Sequence, residues 1–81
     1  MAETMGLKGL AFLASTPEPL GRFMAQSGAD AAGLRERAAE PAFLCAVLDF
    51  LLSEDGLLLE FCENESLKPD AVHRAAKALG G

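Results

Sequence analysis

The sequence predicts an all-α fold, and its composition and its turn signals carry that prediction. Apolar residues make up 51% of the chain and are mostly Ala, Leu and Phe, whereas Val occurs twice and Ile, Trp and Tyr do not occur. Helix formers are therefore abundant and strand formers are scarce. Turn signals containing Gly or Pro divide the chain into short segments whose apolar residues recur at helical spacing. We expect one domain over residues 1–81, folded as a compact bundle of five or six short helices.

The first two predicted helices lie before residue 28. Helix one spans residues 3–15, and its two glycines, Gly6 and Gly9, predict a start that frays. Helix two follows with Thr16 as its N-cap and Pro17 at its first position, where the missing N–H costs nothing. Both helices carry an apolar stripe, so each is expected to bury one face.

Helices three and four are separated by a proline. Gly28 ends helix two, and Asp30 opens a short third helix. Pro41 restarts the chain into helix four, residues 41–53, which is apolar almost all round. A helix with that pattern is buried on most of its surface, so helix four is expected to be the central element.

The last two helices follow an Asp-Gly turn at Asp55-Gly56. Gly56 is expected to separate helix four from helix five, which spans residues 57–64. Pro69 starts helix six, where Asp70 and Arg74 form an i,i+4 pair of favourable orientation, and the glycines at the end of the chain stop it.

An ungapped offset of 38 residues aligns the two halves of the chain. It brings the inner positions of helices one to three onto those of helices four to six. We therefore hypothesise two pseudo-symmetric three-helix halves, residues 5–38 and 43–76. The identical or similar pairs are Leu10 with Leu48, Phe12 with Phe50, Leu13 with Leu51, Ser15 with Ser53, Leu20 with Leu58, Phe23 with Phe61, Leu34 with Val72 and Ala38 with Ala76.

The apolar stripes together predict a core that is arranged around helix four. Its members are Phe12, Leu13, Leu20, Phe23, Leu34, Phe43, Val47, Phe50, Leu51, Leu58, Phe61 and Val72.

The net charge of −5 argues against some classes of partner. An acidic domain repels phosphate backbones and anionic lipids, so nucleic acid and membrane surfaces are poor partners. One nucleic-acid reading stays open as the alternative. Helices two and three resemble a helix-turn-helix, with Arg35 and Arg37 on helix three as the candidate contacts to DNA. Glu36 and Glu40 beside them reduce the positive charge of that helix.

The reactive side chains do not form a recognisable catalytic, cofactor or metal motif. Cys45 and Cys62 lack the spacing of a redox or metal site, and we expect reduced, buried thiols in a cytoplasmic protein. His73 falls on a predicted outward face, and a nucleophile pair with Cys62 would require the two to converge. We expect no enzyme activity and no cofactor.

Asp49 is the single acid of the most apolar helix, and two positions for it are open. If it is buried it needs a partner such as Arg22, which makes it a candidate functional residue. Otherwise it lies with Ala42, Ala46 and Ser53 on a row that faces water.

Leu59 is the candidate for partner binding, together with Glu60 and Glu63 on the same helix. Its neighbours Leu58 and Phe61 point inward, so Leu59 lies to one side of the inward face of the helix. Either it contributes to an exposed apolar patch for a protein partner or a second copy of the chain, or it contacts helix six. The first reading makes the domain a protein–protein interaction module.

Two segments carry a resemblance to a known family. They are Leu20-Gly21-Arg22-Phe23 and Asp49-Phe50-Leu51-Leu52, within a similarity that covers nearly the whole chain. The chain resembles a family of short, uncharacterised alphaproteobacterial proteins that carries only a domain-of-unknown-function label. The resemblance implies a bacterial cytoplasmic protein and no known activity. The chain departs from the pattern at Lys68, where such proteins are expected to carry an acid, so helix six is less well capped.

Overall fold

Six helices account for most of the chain and confirm the all-α prediction. The computed structural model describes residues 2–28 and 30–80, apart from the side chains of Ala31, Ala32 and Arg35. The described part contains helices and turns without strands, and it measures 30 × 25 × 17 Å. The helices are α1 (Ala2–Ala14), α2 (Pro17–Ser27), α3 (Ala31–Arg37), α4 (Pro41–Leu52), α5 (Asp55–Glu65) and α6 (Pro69–Gly80).

The turn signals set most helix limits as expected, with two corrections. Gly28 ends α2 in the left-handed conformation, and the Asp30 carboxylate caps α3 by accepting a 2.7 Å hydrogen bond from the Gly33 N–H. Thr16 stands at the N-cap of α2 but does not cap it, because its hydroxyl donates backwards to the Leu13 carbonyl at 2.9 Å. α5 starts before Gly56, since Asp55 occupies its first turn, where an acid stabilises the positive helix end.

The core surrounds α4, which contacts α1, α5 and α6. Ten of the twelve predicted core side chains are buried, and Leu20 and Leu34 are half-buried. These two do not reach full burial because they line an open groove that is described below. The prediction also omitted five buried side chains, Leu44, Leu48, Cys62, Ala75 and Ala76.

Gly6 and Gly9 bring α1 close to α4. A Cβ atom built on Gly6 would lie 2.7 Å from the Cβ of Leu44, and one on Gly9 would lie 3.3 Å from Val47 Cγ1. Both glycines are buried within α1. The sequence predicts only a fraying effect of these glycines. Their role in the structure is to allow a close crossing of α1 and α4.

Backbone features recur at the 38-residue offset. Thr16 and Glu54, the residues before α2 and α5, have φ and ψ of −121° and 92° and of −122° and 92°. Gly28 and Ser66 end the same two helices in the left-handed conformation. The Ser15 and Ser53 hydroxyls each donate to the carbonyl three residues earlier, at 2.8 and 2.7 Å.

The aromatic contacts also follow this offset. The ring centroids of Phe12 and Phe61 are 5.5 Å apart, and those of Phe50 and Phe23 are 5.4 Å apart. Exchanging the two halves converts one pair into the other. The duplication of residues 5–38 and 43–76 stays a prediction that these matches support, and superposition of the two segments tests it.

The third helices of the two halves differ. α3 has seven residues and α6 has twelve, and α6 lies against both α4 and α1. In the described part of the chain α3 has no comparably extensive contact with either helix. Any twofold relation between the halves therefore weakens at their third helices.

Candidate interaction surfaces

Asp49 lies on the exposed side of α4, so its assignment as a buried acid is wrong. Ala46 and Ser53, one turn away on either side, are exposed with it. Arg22 is not its partner, because the guanidinium pairs with Glu54 at 2.8 Å. The helical row predicted to face water explains this position.

The two thiols occupy different environments. Cys62 is buried as expected, and burial raises its thiol pKa. Cys45 is only half-buried, which corrects its predicted full burial. Its Sγ lies 3.4 Å from the Ala76 carbonyl oxygen and 3.7 Å from the Asp49 carboxylate. Burial first, and then the Asp49 charge and hydrogen bond, raise the Cys45 pKa, so neither thiol resembles an activated nucleophile.

His73 is exposed on α6, as the sequence indicated, whereas Cys62 is buried in the core. No hydrogen bond joins them in the described chain, and they do not form a nucleophile and base pair there. Among the described residues there is also no group of three His, Cys, Asp or Glu side chains that could hold a metal ion.

The arginine of α3 that the structure describes is already engaged. Arg37 lies 4.6 Å from the centroid of the Phe43 ring and 3.9 Å from the Glu40 carboxylate. The Arg35 side chain is outside the described residues. The Arg37 guanidinium therefore covers a core aromatic ring, a role that needs no phosphate.

Leu59 forms an exposed apolar point on α5 that is bordered by acids. Its side chain is 59% exposed, and the reading in which it is covered by α6 gains no support. Asp55, Glu60 and Glu63 around it are exposed, and no ion pair engages them in the described chain. We call these four residues the acidic leucine patch.

A second surface, the α1–α3 groove, was not anticipated from the sequence. It is an open depression of about 400 Å³ between α1, α2 and α3. The apolar positions of α1 recur at i, i+3, i+4 and i+7 and show this stripe in the sequence, but nothing there indicates that α3 leaves it uncovered. Its lining side chains are all apolar: Leu7, Leu10, Ala11, Ala14, Leu20, Leu34 and Ala38.

Comparison with known proteins places the chain in a family. The family described as "Protein of unknown function (DUF3572)" matches residues 1–81. The chain belongs to this family. The resemblance in the Leu20-Gly21-Arg22-Phe23 and Asp49-Phe50-Leu51-Leu52 segments is thereby confirmed at the level of the family, and its alphaproteobacterial source stays an expectation.

The other comparisons give no analogue. No curated protein and no solved structure matches the chain significantly. Among the described helices, none has the length and apolar character that a membrane span requires.

Proposed function

We propose that this domain is a protein–protein interaction module that docks through the acidic leucine patch. The observation that carries the proposal is the 59% exposure of Leu59; apart from Leu7, the other large hydrophobic side chains that the structure describes are buried or half-buried. A single exposed leucine is common on soluble proteins, and the three unpaired acids around it add the second element of a recognition surface.

The chemistry of the patch selects the partner. An exposed leucine surrounded by carboxylates complements an apolar pocket that is bordered by Lys or Arg. A second copy of this chain is a poorer match, since both copies carry a net charge of −5 and would bring like charges together. We therefore propose a different protein as the partner.

The cytoplasm is part of the same proposal. Cys45 and Cys62 are free thiols. Reducing compartments maintain free thiols, whereas oxidising ones favour disulfides. Fractionation of the native host, with the chain detected by antibody, tests this location.

The proposal is tested by capturing partners on the tagged full-length chain from lysate of its own organism, with three forms of the domain. Leu59→Glu places a charge in the centre of the patch, and Gln26→Glu adds the same charge at an exposed position of α2. We expect a stoichiometric protein on the wild type and on Gln26→Glu that is lost on Leu59→Glu.

Salt and folding controls complete this experiment. Raising the ionic strength should release the partner, because exposed carboxylates contribute through screened attraction. Circular dichroism should show all three forms equally helical, since both substituted positions are exposed. Equal capture by Leu59→Glu, or no captured protein at all, contradicts docking through this patch.

A further inference from the structure

The α1–α3 groove corresponds to a contact that is closed in the other half of the chain. At the 38-residue offset, α1 and α3 correspond to α4 and α6. α6 lies on α4 so closely that the Ala76 carbonyl reaches 3.4 Å from Cys45 Sγ, and Ala76 is buried. The corresponding first-half residues remain open: Leu7 is 47% exposed and Ala38 is half-buried.

The length of α3 explains why the groove stays open. α6 extends over twelve residues and α3 over seven. At the helical rise of 1.5 Å per residue, α3 is therefore roughly 7 Å shorter. Pro41 begins α4 four residues after α3 ends, so the chain has no room for a longer third helix. The groove therefore has the apolar lining of a surface that packs against a helix, but α3 is too short to cover it.

The lining chemistry favours a helix over a small polar ligand. All the lining side chains are aliphatic, from Leu7 at one end of the α1 stripe to Ala38, the residue that follows α3. Sites for small polar ligands add a few polar groups that fix orientation. A partner helix needs no such groups, because its backbone is hydrogen-bonded internally and only its apolar face enters a groove.

The charged residues of α1, α2 and α3 indicate which charge the partner should carry. Their described cations Lys8, Arg22 and Arg37 are already paired with Glu65, Glu54 and Glu40. The acids of these helices, Glu3, Glu18 and Glu36, are exposed, and no ion pair engages them in the described residues. Glu3 lies one turn before Leu7, in line with the α1 stripe that lines the groove, and the whole chain carries a net charge of −5, so the groove complements a basic partner.

We propose that the α1–α3 groove binds a basic amphipathic helix of a partner protein, one that presents Ala and Leu on its apolar face. This inference is independent of the acidic leucine patch, which lies on α5. A second copy of the chain fits the groove less well, since it carries the same free carboxylates.

Three synthetic peptides of about 16 residues, long enough for appreciable helix, serve as probes. The first carries Leu and Ala on one helical face and Lys on the other. The second replaces every Lys with Glu, and the third has the first composition in an order that scatters the apolar residues. Binding to the full chain is measured by fluorescence anisotropy, and the contacted residues are mapped by NMR chemical shifts.

We expect the first peptide to bind and to shift the NMR signals of Leu7, Ala11 and Leu34. The Glu peptide loses charge attraction and the scattered peptide loses apolar contact, so each should bind at least about tenfold more weakly. The double variant Leu7→Gln with Ala11→Gln should weaken the first peptide by a similar factor. Ala42→Gln, at an exposed alanine of α4, is the matched control and should leave it unchanged.

Four results overturn the proposal. They are equal binding of the Lys and Glu peptides, equal binding of the scattered peptide, equal loss on Ala42→Gln, and shifts that fall outside the groove. Sedimentation of the chain alone covers the remaining occupant, because a dimer that dissociates in the Leu7→Gln variant assigns the groove to a second copy. None of these results bears on capture through Leu59, so the two proposals fail separately.

Discussion

Gly6 and Gly21 offer a matched test of the α1–α4 crossing. Each is the fifth residue of its helix, Gly6 in α1 and Gly21 in α2. A Cβ on Gly21 meets nothing within 4 Å, whereas a Cβ on Gly6 would lie 2.7 Å from Leu44 Cβ. Alanine at the two positions therefore has the same local benefit and a different packing cost.

The expected magnitudes follow from these two terms. Alanine gains up to about 1 kcal/mol over glycine in a helix interior. Gly21→Ala should therefore stabilise the domain by about 0.5–1 kcal/mol, which raises Tm by roughly 2–8 °C in a domain of this size. At Gly6 the Leu44 side chain is fully buried and has no space to move into, so overpacking costs about 1–3 kcal/mol. Gly6→Ala should destabilise by about 1 kcal/mol, within a range that reaches 2 kcal/mol.

Urea and thermal unfolding, followed by far-ultraviolet circular dichroism, measure both variants against the wild type. The difference between the two alanine variants isolates the packing cost, because the helix propensity terms cancel. If Gly6→Ala is as stable as Gly21→Ala, α1 does not approach α4 at Gly6 and the reasoning fails. In a double-mutant cycle with Leu44→Gly, which removes the Leu44 Cβ, the cost of Gly6→Ala should shrink if the two Cβ atoms meet.

Four further predictions concern charges and thiols. Asp49→Asn should change the free energy of unfolding by less than about 0.5 kcal/mol in urea titrations, since the carboxylate is exposed. The same substitution should lower the Cys45 pKa, because it removes the charge that helps to raise it, and the pH dependence of alkylation should shift to lower pH. Native Cys62 should react with a disulfide reagent more slowly than Cys45, because it is buried, and urea should remove the difference. Folded-state pKa values raised at both thiols imply stability that is complete at neutral pH and falls as pH rises above the ordinary thiol range, which alkaline unfolding curves measure.

The sequence allowed most of the fold to be predicted because its signals are local. Prolines at 17, 41 and 69 begin three of the six helices, and Gly28 ends one of these, α2. α4 is central because an almost entirely apolar helix has only one stable position, at the middle of the bundle. These properties depend on a few neighbouring residues, and tertiary packing does not override them here.

The surfaces were harder to predict because they depend on which helices meet. Asp49 sits among apolar neighbours in the sequence, and only the side of α4 left uncovered decides that it is exposed. Leu20 and Leu34 have the spacing of core residues, but α3 is too short to cover them. For Leu59 the sequence left exposure and a contact with α6 both open, and its side chain is exposed because Leu58, Phe61 and Cys62 form the buried face of α5.

The residues at corresponding positions are those expected of a groove that another molecule covers. Where α6 packs on α4, the chain carries Cys45, which has a small side chain. The packing there is close, because a Cβ on Gly80 would overlap the Cys45 sulfur. At the corresponding position in the open groove the chain carries Leu7, which is larger and leaves 47% of its surface in water. Folding alone would favour a polar residue there, as at exposed Asp49, whose counterpart at the groove is Ala11. An apolar stripe that the fold does not cover stabilises the molecule only when something else covers it, which is the energetic reason to look for the helix that does.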